Sequence, residues 1–494
     1  MKFKLKFWEK EKEPQKRPPL RRRGYHVGGR VSYLPKWLTS PTKPNEDIKQ
    51  SLHVMQARCR ESLQNNPYIK RALSLVYANV VGPNGPVLQS KAVNGKGKDY
   101  KPARTAIENA WRRWGKKGSP DATHTKTWNG MLQEFWRQLF IDGEYLAIES
   151  LTAENPYGLK LQVIDPMLLD NDHEMDFKDG RFIKQGIEYN QAGRPLAYYI
   201  LDEDPQQQYY AKGKSHKRIP ASRVHHCFLP NFVNQRRGVP LVITILQRLV
   251  MMGKYEEAEL VAALIGSSTM GIWEDNAENV GYEGTGEDDE GYNFEVEPGM
   301  FAKAPHGTKL NVFDPQHPNA AYEVFLKILL REVASGLDLS YATLANDYSD
   351  ANYSSLRQAQ LTDQEIWKIM QNFMIENFVE QVFSSFIENA LVLQSISIGN
   401  RPLANDFMRF SEHRWRPKRW GWVDPKKEMD AIDIGLRNRI ISPQQVILEK
   451  GDDPQEVIEQ WEEWLELTKN LPEPAPAGFL TPGESDEEES DSED

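Results

Sequence analysis

Apolar side chains recur every three to four positions along most of this chain, and the period falls to two across residues 144–230. Ile69, Leu73, Val76 and Val80 fall on one helical face; Asn65–Asn66 can cap that helix, Pro67 fits its first turn and Gly82 its end. The chain is expected to be helical from about Asn45. Two further helices are predicted at about Ala103–Trp114 and Thr125–Ile141. Each carries Trp at helical spacing, a pattern of core packing rather than of cofactor binding.

The runs EYLAIES, KLQVIDP, FIKQGIEYN, AYYIL and RVHHCFL are short, β-rich and separated by Asn, Gly, Pro and Asp. They predict strands of a mixed sheet, with NQAG (190–193) as a hairpin turn. Gly238–Val239–Pro240 then opens a long amphipathic stretch, Leu241 to about Ser267, roughly 40 Å as a helix. Residues 271–318 are acidic and Gly-rich and close on the strand-like runs NFEVEP and KLNVFDP. A strong helix follows at Ala320–Gly336. The polar stretch DLSYATLANDYSDANYSS has no Gly or Pro between Asp338 and Ser355 and is rich in turn- and cap-forming side chains. A helix restarting near Ser355 is long enough to require a kink before Leu393. Residues 396–422 read as strand and loop around Trp415, Trp420 and Trp422. Asp424–Pro425 and Ser442–Pro443 each open a helix, and in the last helix Val457, Trp461, Trp464 and Leu465 share a face.

The string GLDLSYATLANDYSDANYSSLRQ, followed by its long helix, resembles the signature of the lambda-type portal proteins of tailed bacteriophages. Collinear agreement extends through NNPYIKRALSLVYANVVG, RRGVPLVITILQRLVMMGKYEEAELVAALIGSS and VDPKKEMDAIDIGLRNRIISPQQVILEKGDDPQEVIEQW, covering roughly residues 50–465. The resemblance implies a predominantly helical α+β, portal-type fold: an α/β wing, two stem helices, a small α/β clip, a tunnel loop, a long kinked helix and a helical crown. On this chain it implies a basic arm (1–40), the first part of the wing (41–240) and a first stem helix (241–270). The clip (271–318), second stem helix (319–337) and tunnel loop (338–355) follow. The long helix with the second part of the wing (356–422), the crown (423–470) and an acidic tail (471–494), expected to be disordered, complete it.

Such proteins form a ring, usually a dodecamer, at one capsid vertex, through which double-stranded DNA is packaged and ejected. The implied partners are further copies of the chain, a terminase large subunit, a head–tail adaptor and a major capsid or scaffold protein, with no membrane and no cofactor. The implied place is the virion, after assembly in the host cytoplasm. Ser340, Tyr341, Asn346, Asp347, Tyr348, Ser349, Asp350, Asn352 and Tyr353 become the candidate DNA-facing residues. Glu287, Asp288, Asp289 and Glu290 become the candidate partner-binding residues of the clip.

Charge sharpens that reading. The chain's formal net charge of −10 is unevenly placed. Residues 1–40 hold twelve Lys/Arg against three Glu, residues 274–297 hold ten acidic and no basic residues, and 484–494 hold eight acidic residues and no basic one. The body between them is close to neutral, unlike proteins whose DNA affinity comes from neutralising phosphates. At 494 residues two or more modules are expected. No run approaches the roughly 18 apolar residues of a membrane span, and the N-terminus lacks the apolar core of a secretory signal. Two cysteines, Cys59 and Cys227, offer no disulfide framework and suit a reducing compartment.

Enzymatic signatures are missing: no phosphate-binding GxxxxGK[ST], HExxH, paired CxxC or GxSxG occurs. His225–His226–Cys227 sits on a predicted strand whose neighbours point to opposite faces, which favours packing over metal. Asp170–Asp172–Glu174–Asp176 lacks the Gly that a calcium loop needs at its sixth position. With no such signature in the way, the portal resemblance implies a non-enzymatic structural ring. The alternative from another class is a DNA-processing enzyme, a nuclease or recombinase with an unrecognised site.

Overall fold

The computed structural model describes residues 43–203, 211–267, 270–275, 308–313, 320–349, 352–421, 425–450, 452 and 454–469. The arm, the acidic tail, most of the clip, the run NFEVEP, Trp422 and Asp424 lie outside these residues.

The first part of the wing begins with α1 (Pro44–Asn65) and α2 (Pro67–Val76). Asn66 accepts hydrogen bonds from the Tyr68 and Ile69 N–H groups at 3.0 and 3.2 Å, so the predicted cap is real. A π-helical turn, Tyr77–Val81, carries α2 to Gly82. The strand β1 (Val87–Ser90) and helices α3 (Lys101–Trp114) and α4 (Trp128–Ile141) follow. Thr127 caps α4, whose first residue, Trp128, lies three residues after the predicted start.

The period-two block supplies β2 (Glu144–Leu151), β3 (Leu159–Ile164), β4 (Met175–Asp176), β5 (Phe182–Lys184), β6 (Ile187–Tyr189), β7 (Pro195–Glu203), β8 (Ala211–Pro220) and β9 (Val224–Phe228). They do not form the expected mixed sheet. Two antiparallel sheets form instead, ordered β3-β2-β9 and β4-β5-β6-β7-β8. Short turns force this, since parallel neighbours need a long crossover. The NQAG turn joins β6 to β7, with the Gly193 N–H bonded to Asn190 O at 2.9 Å and Gly193 at φ +82°. Strand β8 escaped sequence reading because its residues, AKGKSHKRIP, are half basic and hold few apolar positions.

The two helices expected as the stem are α5 (Ile243–Ser267) and α6 (Ala320–Gly336), with β10 (Met270–Asp275) paired antiparallel to β11 (Thr308–Phe313) between them. Beyond it come α7 (Tyr341–Ala345), α8 (Tyr353–Met374), a second π-helical turn (Ile375–Val379) and α9 (Glu380–Val392). The π turn stands where a kink was expected, and such turns are a recognised cause of one. Strands β12 (Ser397–Ile398) and β13 (Arg401–Pro402), helix α10 (Phe407–Phe410) and β14 (His413–Arg416) lead back to the wing, where β14 pairs with β1. The last helices are α11 (Pro425–Arg437), α12 (Pro443–Lys450), capped by Ser442, and α13 (Pro454–Thr468).

The predicted tryptophan stripes are core. Trp111 stacks on Trp114 at 4.8 Å and meets Trp128, Phe383, Phe386 and Trp415 edge-on. Phe378, in the second π turn, lies against Trp128, Phe135 and Tyr145. The long helix thus has two environments, with its latter half threaded through the wing core.

The joint between wing and stem is held by ions and by glycine. Arg237, fully buried, grips the buried Glu144 through Nε and Nη2 at 2.5–3.0 Å and also donates to the Pro166 and Leu169 carbonyls. His226 Nε2 and the Gly238 N–H complete the shell of Glu144 at 2.9 and 3.1 Å. Burial pushes the Glu144 carboxyl up, but Arg237 and His226 outweigh it and hold it at about 2. Gly143 has φ +86°, and a Cβ there would lie 2.3 Å from the Val239 carbonyl carbon; one on Gly238 would lie 2.0 Å from Gly143 O. Only glycine permits this backbone contact.

Candidate functional site

The loop between the stem and the long helix is not the continuous irregular connection that its composition suggested. Ser340 and Thr343 seat a short helix, α7, and Asn346 ends it in the left-handed region at φ +56°. Asn352 caps α8 by accepting from the Ser355 N–H at 2.8 Å, so the long helix begins at Tyr353.

One buried carboxylate organises the segment. Asp363, 2% exposed on α8, lies 2.9 Å from the Ser340 N–H and 2.8 Å from the hydroxyls of Ser340 and Thr343. Leu344 is buried in the main core, and Arg71 of α2 donates to Thr343 O at 3.4 Å. The Arg331 guanidinium of α6 sits 5.4 Å above the Tyr341 ring. Asp363, Thr343, Arg331 and Arg71 were not singled out from sequence. An Asp inside an apolar-faced helix, LTDQEIW, was the available signal for the first.

At the outer end, Asp347 accepts from Tyr341 Oη at 2.8 Å and from the Ser349 hydroxyl and N–H at 2.6 and 3.1 Å. The Ser349 bonds, then that of Tyr341, hold the Asp347 carboxyl at about 2. Burial and the Asp347 carboxylate push the Tyr341 hydroxyl up to about 12. Tyr348 and Tyr353 are half exposed. Of the nine predicted loop residues, Ser340, Tyr341, Asp347 and Ser349 are therefore tied into local networks. Asn346 and Asn352 terminate helices, the two tyrosines face solvent, and Asp350 lies outside the described residues. Glu287, Asp288, Asp289 and Glu290 also lie outside them.

The stem flanks this loop. Tyr255 of α5 packs on Tyr322 and Phe325 of α6 at 5.7 and 5.1 Å, and Arg248 pairs with Glu332 at 3.0 Å. Away from that seam, Val250, Leu260, Val261 and Leu264 share an exposed face of α5, and Val324 and Ile328 one of α6. So much exposed apolar surface on adjacent helices marks an interaction surface.

The other candidates are structural. His225 and His226 point to opposite faces of β9, to Glu149 at 2.8 Å and Glu144 at 2.9 Å. Cys59 and Cys227 are free and buried, and burial pushes both thiols up to about 12. In the acidic run after Leu169, Glu174 pairs with Lys49 and Lys184, and Asp170 faces His216. Among the described residues no helix is long and apolar enough to cross a membrane.

A polar loop anchored between paired stem helices and a long helix, with a mixed α/β wing behind it, is the arrangement that the portal resemblance requires. Residues 32–371 match the profile of the family described as phage portal protein, lambda family, and the chain belongs to that family. It is 28% identical to the probable portal protein of Halomonas phage phiHAP-1 over 97% of this chain and 94% of that protein. It is 22% identical to portal protein B of Escherichia phage lambda over 88% of both chains. Among solved structures, a chain from the neck of an empty gene transfer agent particle aligns at 12% identity and a TM-score of 0.46, over 87% of this chain and all of that one.

Proposed function

We propose that this portal protein works as a closed ring of identical subunits, most simply twelve, at one vertex of a capsid. Double-stranded DNA passes through the ring during packaging and ejection. The observation that carries the ring is the exposed apolar face of the stem, Val250, Leu260, Val261 and Leu264 with Val324 and Ile328. Neighbouring subunits would cover it, and obligate interfaces of this kind commonly exceed about 2,000 Å². The loop at 338–355, with no Lys or Arg, then lines the channel. Asp347 and Asp350 repeat around it as rings of negative charge that keep DNA centred without holding it. The segment 271–318 is the docking platform for a terminase large subunit during packaging and later for a head–tail adaptor. Its Glu287, Asp288, Asp289 and Glu290 meet a basic partner surface, so docking weakens with salt. A capsid or scaffold protein surrounds the wing.

The role is mechanical, with hydrolysis left to the terminase. The nuclease-or-recombinase alternative finds no support in the relatives, which are named as portal proteins. Imaging and mass measurement of the purified chain test the proposal. A ring with a central hole is expected, and a stable monomer at micromolar concentration overturns it.

A further inference from the structure

Helix α13 is docked the opposite way round from an ordinary amphipathic helix. Its acidic face meets the body: Glu463 pairs with Lys101 at 2.5 Å, Glu459 lies 3.9 Å from the same ammonium, and Glu456 bonds Gln89 at 2.9 Å and pairs with Arg416. At 100° per residue, Ile458, Trp461, Trp464 and Leu465 fall on the other side. They are 54–61% exposed. Glu462 stands exposed at the edge of that face and Glu466 is exposed between it and the acidic side, neither with an ion pair among the described residues. The free surface of α13 is thus aromatic and anionic together.

We propose that this surface is the docking site for the basic N-terminal arm of this chain, residues 1–40. The helix carries five Glu and no Lys or Arg, so a second α13 packed against it, or a nucleic acid or an anionic membrane, would bring like charge. The arm brings the complement: twelve Lys/Arg with Phe3, Phe7, Trp8, Tyr25, Tyr33 and Trp37 interleaved. Its cations match Glu462 and Glu466, and its aromatics match the indoles through stacking and cation–π contact. The acidic tail at 484–494 offers charge but no apolar residue, so it satisfies only half of the arm. Forty extended residues span up to about 130 Å, so the arm can reach α13 on its own subunit or on a neighbour. The inference does not depend on the ring: it rests on α13 and on composition.

The test uses the full-length chain with a photo-crosslinking phenylalanine analogue in place of Trp461. Crosslinked peptides identified by mass spectrometry should come from residues 1–40. Crosslinks only to the 471–494 tail, only to another copy's folded body, or to nothing overturn the proposal. In parallel, trypsin cleavage within the arm should quicken by about tenfold in Trp461→Ser/Trp464→Ser. It should quicken likewise in wild type near 1 M salt, where screening falls to about 3 Å. Both substituted side chains are exposed, so circular dichroism should match wild type. An unchanged cleavage rate also overturns the proposal.

Discussion

Asp363 receives Ser340 twice, at its backbone N–H (2.9 Å) and at its hydroxyl (2.8 Å), across 23 residues of sequence. This ties the start of the loop to the long helix that follows it. Asp363→Ala leaves a half-buried N–H and the Thr343 hydroxyl without their acceptor and should cost about 1–3 kcal/mol. Denaturant unfolding measures the loss, and hydrogen exchange should localise it to residues 340–349. Asp363→Asn, which keeps one acceptor oxygen, should lose less.

Asp347 predicts an acid transition. Its folded value, about 2, lies below the ordinary carboxylate value of about 4. The order it gives the loop is therefore complete above about pH 4 and lost as pH falls through 2. A fluorotyrosine placed at Tyr341 should report a step centred near 2, absent in Asp347→Asn. A step near 4 would show that the network does not form.

Arg237 and Glu144 fasten the stem to the wing. Arg237→Ala strands a buried carboxylate and should cost about 3–5 kcal/mol. Low soluble yield and a lowered denaturant midpoint are expected. Arg237→Lys should rescue little, because an ammonium cannot reproduce the fork on Glu144 and two carbonyls.

Exposed apolar stem residues should matter for assembly and not for folding. Val261→Glu or Ile328→Glu should leave the circular dichroism of the subunit unchanged and shift sedimentation from ring to small species. Normal rings would move the interface elsewhere.

Charge reversal in the loop separates a DNA-facing wall from a plain connection. Asp347→Arg should give normal rings and capsids but arrested packaging, eased by salt. Asp347→Ala is the control, since it loses the Tyr341 and Ser349 bonds without adding a phosphate contact. Packaging by Asp347→Arg at the wild-type rate would remove the loop from the channel wall.

Local rules made the helices legible: Asn66, Pro67 and Gly82 bound α2 and its π turn, and Ala320–Gly336 matches its predicted bounds. Strand β8 was illegible because residues such as Lys217 and Arg218 occupy an exposed sheet edge, where pairing rather than burial makes the strand. The antiparallel pairing of β2 with β9, far apart in the chain, is a tertiary choice that alternation alone does not encode. Helix α7 was read as loop because five residues carry too little periodicity, and its support comes from Asp363, far along the chain. The polar character of the candidate site was visible in its residue types. Which of them are spent on holding the loop's shape was not.

The glycine contact at the wing–stem joint carries a mechanical meaning. With Gly143 and Gly238 backbone to backbone, and Arg237 clamped beside them, there is no side-chain cushion at the root of α5. A load that tilts the stem must then be passed directly into β2. A side chain at either glycine would hold the two backbones apart, so the root of α5 lies as close to β2 as two main chains can come.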